Sequence, residues 1–109
     1  MDEQISAYIN GFSSEIIELF GALRTLIFES ASSAPRETMW ARLPSYYVGE
    51  ASVRLIPFKD HINVEAAAVP AHREALALYK ITPKGMLQIY QGQALPAEIL
   101  KRIFAETLG

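Results

Sequence analysis

The apolar residues of this chain change period twice, and that order narrows the possible folds more than any single motif. Ile5, Tyr8, Ile9 and Phe12 recur at i, i+3, i+4 and i+7, the stripe of an amphipathic helix. Asp2 before the stripe suits an N-cap and Gly11 after it a stop. Ile16, Ile17, Phe20, Leu23, Leu26 and Ile27 predict a longer helix over about Ser14 to Ser30, capped by Ser13, with Glu15 at the positive end of its dipole. Ser30 to Pro35 reads as a linker. From Glu37 the period drops to two. Glu37 to Leu43 reads as one strand ended by Pro44, and Ser45 to Val48 as a second. Gly49-Glu50 suits a two-residue turn with glycine first. Ala51 to Phe58 and His61 to Ala66 follow as strands. Pro70 opens a third helix through about Tyr79, Met86 to Gln91 reads as a fifth strand, and Pro96 starts a last helix. The stripe of that helix is Ile99, Leu100, Ile103, Phe104 and Leu108, with Glu98 and Arg102 at i, i+4 spacing. Helices, then strands, then helices make an α+β domain spanning residues 1–109. One antiparallel sheet of about five strands is expected, with the helices covering one face.

The third and fourth strands can be registered on paper. If Phe58 stands opposite His61, Val53 faces Ala66, Leu55 faces Val64 and Pro57 faces Ile62, all on one face. Arg54 then meets Glu65, Ile56 meets Asn63 and Phe58 meets His61 on the other. One face is wholly apolar and the other carries an opposite-charge pair, as a half-buried hairpin should.

Composition removes several classes of function. With no cysteine among 109 residues, the chain has no disulfides, thiolate metal ligands or Cys nucleophile. No apolar run is long enough to span a membrane. The acidic start Met1-Asp2-Glu3 is no signal peptide, so a cytoplasmic location is expected. Ten Lys and Arg stand against twelve Asp and Glu, a net charge of −2. Arg36, Arg42, Arg54 and Lys59 are interleaved with Glu37, Glu50 and Asp60, so no nucleic-acid stripe is read from the sequence. The charge is uneven: residues 1–30 carry net −4 and the remainder +2.

Catalytic motifs are missing. Neither a His-Glu-x-x-His, a nucleophile elbow nor a phosphate loop occurs, and an enzyme is not expected. His61, opening a strand after a turn, is the most prominent ionisable residue, and its ring could emerge at a sheet edge. It shares a face with Asn63 and Glu65, but the three spread over roughly 13 Å of strand, too far for one ion. His72 reads as a solvated residue at a helix start. Trp40, Tyr46, Tyr47 and Tyr90 make the strands aromatic. With Arg42 or Arg54 as a charged end and Glu65 opposite, they form a candidate cleft for a small molecule or peptide.

The strand region also resembles a known family. Glu37-Thr38-Met39-Trp40, Leu43-Pro44-Ser45-Tyr46, Pro57-Phe58-Lys59-Asp60-His61-Ile62, Lys84-Gly85-Met86-Leu87-Gln88-Ile89 and Leu95-Pro96 look like the YdhG-like family, as do Tyr8-Ile9 and Leu23-Arg24-Thr25-Leu26-Ile27. This bacterial domain family includes frataxin-like iron chaperones. Trp40 and Pro44 stand four apart where the family spacing is three, which predicts a one-residue bulge. The resemblance implies a frataxin-like sandwich that binds iron weakly and hands it to iron–sulfur or haem assembly proteins, as a monomer or weak dimer with no required cofactor. By position it carries over His61 as a metal ligand, with Asp2 and Glu3 matching as acidic surface.

Overall fold

The computed structural model describes all 109 residues. Two helices open the chain, α1 (Glu3–Ile9) and α2 (Ser14–Ser30). Their caps are local chemistry. The Asp2 carboxylate accepts from the Gln4 and Ile5 amides at 2.8 and 3.1 Å, and the Ser13 hydroxyl accepts from the Ile16 amide at 3.2 Å. Such caps satisfy amides that a helix start leaves without partners.

Four strands follow as a meander: β1 (Arg36–Trp40), β2 (Leu43–Val48), β3 (Ala51–Pro57) and β4 (His61–Glu65). A two-residue strand, β5 (Lys80–Ile81), and β6 (Leu87–Tyr90) complete a six-stranded antiparallel sheet in the order β1-β2-β3-β4-β6-β5. The last helix, α3 (Ala97–Leu108), packs on α2 and on β3. The β3–β4 register is the expected one, with Arg54 opposite Glu65, Leu55 opposite Val64, Ile56 opposite Asn63 and Pro57 opposite Ile62. Gly49, at φ +60°, leads the turn between Val48 and Ala51, where glycine carries no Cβ penalty.

Five expectations are corrected. The sheet has six strands rather than five; β5 is too short to leave a sequence signal. The strand read from Glu37 to Leu43 is broken after Trp40 by a turn at Ala41-Arg42, both with positive φ (50° and 67°). Pro44 therefore does not end a strand; it is the second residue of β2, just before the first residue registered with β3. The same turn, not a one-residue bulge, separates Trp40 from Pro44. The helix expected from Pro70 to Tyr79 is one 3₁₀ turn, Val69–His72, followed by irregular turns. Finally, Glu98 pairs with Lys101 at 3.5 Å rather than with Arg102.

The register sorts the strand side chains onto two faces. Tyr46, Val53, Leu55, Ile62, Val64, Leu87 and Ile89 share one face and are fully buried. They form one core with Ile5, Ile16, Phe20, Leu23, Ile27, Leu100, Ile103 and Phe104 of the helices. The opposite face contributes no residue to that core. The result is two layers, helices on one side of the sheet and an uncovered sheet face on the other.

Candidate binding face

The uncovered face can be drawn from the register alone. Thr38, Ser45, Arg54 and Glu65 lie side by side across β1 to β4. Arg36, Tyr47 and Ser52 form the next row toward one end of the sheet. Toward the other end come Trp40 beside Leu43, Ile56 beside Asn63 and Gln88 with Lys80, and beyond them His61 beside Tyr90.

Arg54 is the hub of this face. Its Nη1 donates to Glu65 Oε1 at 2.7 Å and its Nη2 to the Tyr47 hydroxyl at 3.0 Å. The guanidinium carbon lies 4.1 Å from the Trp40 ring centroid and 5.9 Å from that of Tyr47, within cation–π range. Arg36 covers Tyr47 in turn, at 4.9 Å. Burial opposes the Arg54 charge, but its hydrogen bonds to Glu65 and Tyr47 outweigh this and hold its pKa above the ordinary value. The Arg54 Nε is buried without a partner. Trp40 is 53% exposed even with Arg54 against it, so one side of the indole is open to a ligand.

Trp40, Tyr47, Arg54 and Glu65 therefore converge as expected, whereas Tyr46 does not join them. Tyr46 stands opposite Val53 on the core face and is fully buried against Phe28, whose ring it meets edge-on at 5.9 Å. Its hydroxyl makes no well-formed hydrogen bond, although the Arg24–Glu37 ion pair is its electrostatic neighbour. Burial, with the Glu37 charge adding to it, pushes the phenol pKa well above its usual range. Arg24 donates to Glu37 at 2.5 and 3.2 Å, and the Asp2 amide donates to the same carboxylate at 2.7 Å.

His61 is not at a sheet edge. It lies on an interior strand, stacked between Phe58 and Tyr90 with both centroids at 4.6 Å, and its Nδ1 is 2.9 Å from Asp60 Oδ1. Phe58 opposite His61 was legible in the sequence. Tyr90 is legible as an aromatic strand residue, but its place beside His61 is not, because it depends on the β4–β6 pairing, which no local pattern specifies. His72 is also held rather than solvated, its Nε2 lying 2.8 Å from Glu106 Oε1 on α3.

His61 is kept apart from the other two candidate metal ligands, Asp2 and Glu3, which are neighbours at the start of α1. Asp2 caps α1 and joins Glu37, which shares the core face with Tyr46, while His61 projects from the uncovered face three strands away. Three strand spacings amount to roughly 14 Å. No group of three His, Asp or Glu side chains is placed to hold a metal ion. A cleft of about 440 Å³ lies at the other end of the sheet between Glu50, Glu65, Pro70 and Lys84. It is shallow and contains none of the aromatic residues of the uncovered face. No helix is long and apolar enough to cross a membrane.

Compared with known proteins, the chain matches no family model, no curated protein and no solved structure.

Proposed function

We propose that this domain is a non-enzymatic binding module that lays a small organic molecule or a short peptide on its uncovered sheet face. The observation that carries the reading is the Arg54 hub. One cation is oriented by Glu65 and Tyr47 and pressed against a half-exposed tryptophan, offering an aromatic surface and a charge at fixed geometry. Side chains already held in place lose little entropy when a ligand arrives. A cytoplasmic setting and a frataxin-like sandwich of the YdhG-like kind belong to the same proposal; helices confined to one face of an antiparallel sheet support the sandwich. An iron-handling role, which the resemblance implies, would need ligands other than His61, Asp2 and Glu3 acting together.

The test is amide-resolved NMR with a panel of aromatic carboxylates and short aromatic peptides. Shifts should cluster on Trp40, Tyr47, Arg54 and Glu65 and fall at least tenfold in affinity in Arg54→Met. Shifts confined to the helices, or none across the panel, would refute the reading.

A further inference from the structure

We infer that two copies of this chain pair through the free edge of β1, in an antiparallel register centred on Thr38. The inference stands apart from the ligand reading and concerns the one long edge that the sheet leaves open.

The two edges of the sheet differ. β5 is two residues long and carries Lys80; shortness and lysine are common ways of blunting an edge. β1 is five residues long, registers with β2 without a bulge and has no lysine or proline within it. Its outward hydrogen-bonding groups follow from the hairpin. The β1–β2 loop is the two residues Ala41-Arg42, so Trp40 and Leu43 form the closing hydrogen-bonded pair. Thr38 with Ser45 and Arg36 with Tyr47 follow at alternate positions. Pro44, opposite Met39, agrees with this: it has no N–H, so Met39 cannot exchange both bonds with it. Glu37 and Met39 therefore turn their amides and carbonyls away from β2, and no turn, cap or loop bond reaches them. Helix α1 does not cover them either, since the Asp2 amide bonds to the Glu37 carboxylate and not to the strand backbone.

Self-complementarity chooses the partner. Antiparallel pairing through these groups can centre on Glu37, Thr38 or Met39. A Glu37 centre sets two carboxylates against each other, and a Met39 centre brings Arg36 to Arg42 of the partner subunit. Only the Thr38 centre opposes the whole of β1 with no like charges facing. Glu37 and Met39 of the partner subunit then exchange both backbone bonds, and the twofold axis repeats them. On the uncovered face Thr38 meets the partner's Thr38, and Arg36 meets the partner's Trp40. Both are non-hydrogen-bonded pairs, whose Cα atoms approach to about 4.5 Å. Arg36 already lies over Tyr47 at 4.9 Å. Trp40 is 53% exposed with Arg54 on one side. The pairing brings the Arg36 guanidinium between its own Tyr47 and the open side of the partner's Trp40, within cation–π reach of both. Glu37, the one charge of β1 on the core side, does not obstruct. Its side chain is 10% exposed, and Arg24 and the Asp2 amide hold both carboxylate oxygens. The twofold axis runs normal to the sheet, so the two uncovered faces lie on the same side of one continuous sheet.

Sedimentation velocity of the whole protein should show a monomer–dimer equilibrium between about 10 μM and about 1 mM, because one strand pair buries less than the roughly 1,200 Å² of a stable interface. Thr38→Lys sets two ammonium groups against each other at the twofold axis. It should weaken association about tenfold or more and leave a cooperative thermal transition in the monomer. The chain has no cysteine, so Thr38→Cys gives a second readout. Mild oxidation should link it into a disulfide dimer, since Cα atoms about 4.5 Å apart are within disulfide reach. Arg42→Cys, in an exposed turn that the register keeps away from its own copy, should stay monomeric. A parent that is monomeric throughout the range, a dimer that survives Thr38→Lys, or linkage no faster at position 38 than at position 42 would each overturn the inference. If Thr38→Lys does not melt cooperatively, the cysteine comparison decides alone.

Discussion

Arg54 is held by three neighbours at once, and its removal should cost more than a surface ion pair. Its side chain is 16% exposed against 38% for Glu65. In a double-mutant cycle by urea denaturation, Arg54→Met and Glu65→Gln should couple by about 1 kcal/mol, at the top of the range for exposed pairs. Arg54→Met alone should lose more, because contacts with Tyr47 and Trp40 go with it. Zero coupling would show that the pair is only a packing coincidence. Glu37 gives the pH dependence. Burial by itself would raise its carboxyl, but hydrogen bonds from Arg24 and the Asp2 amide outweigh this and hold the pKa below the ordinary 4.5. A carboxylate depressed on folding contributes stability above its unfolded pKa and loses that contribution as pH falls through the folded one. Glu37→Gln should therefore cost about 1.5–3 kcal/mol at pH 7, and the difference from the parent should shrink below about pH 4.5; a constant difference down to pH 2 would contradict the ion pair. At this scale the site was half legible. Alternation through the Gly49-Glu50 turn sets Tyr46 on the face of Val53, the apolar side of the β3–β4 register, so its core position is legible; grouping it with Trp40 and Tyr47 by residue type is what misplaces it among the ligand residues.

Elements were readable where local chemistry decides them and misleading where tertiary packing does. The Asp2 and Ser13 caps and the span of α2 follow from side chains within one turn. The β1–β2 hairpin left no such trace, because Ala41 and Arg42 occupy positive φ without the glycine or asparagine that advertises it. That conformation costs a non-glycine residue roughly 1 kcal/mol. Replacing Ala41-Arg42 with Asn-Gly should thus stabilise the domain by about 1 kcal/mol, raising Tm by roughly 4–8 °C in calorimetry; a fall in Tm would mean the turn is shaped by contacts instead. The stretch from Pro70 to Tyr79 fails in the opposite sense. Ala71, Arg73, Glu74, Ala75, Leu76 and Ala77 are good helix formers, yet only Leu76 among them is buried and Leu78 is 90% exposed. With one anchor instead of a stripe, the segment gains nothing from packing as a helix, and a short helix without packing is marginal in water.

The whole molecule is one core closed by elements from both ends of the sequence. Leu100, Ile103 and Phe104 of α3 are fully buried against α2 and the sheet. Truncation before Pro96 should abolish the cooperative thermal transition, and Phe104→Ala alone should cost about 3–5 kcal/mol in urea; a truncated domain melting near the parent would show that the core closes without α3. The α+β class was legible from the changes of period, since each period fixes what its segment must bury. The strand order was not: β6 joins the sheet beside β4 and β5 pairs only with β6, and that depends on which surfaces meet.

The position of α3 also has a consequence for the order in which the chain is made. The meander β1–β4 is joined by short turns and can pair as soon as it leaves the ribosome. The helix that covers β3 follows every strand. During synthesis, therefore, a paired sheet exists with Val53 and Leu55 bare and only α1 and α2 to shelter its core face. The nascent chain is most adhesive while its sheet is out and its last helix is not.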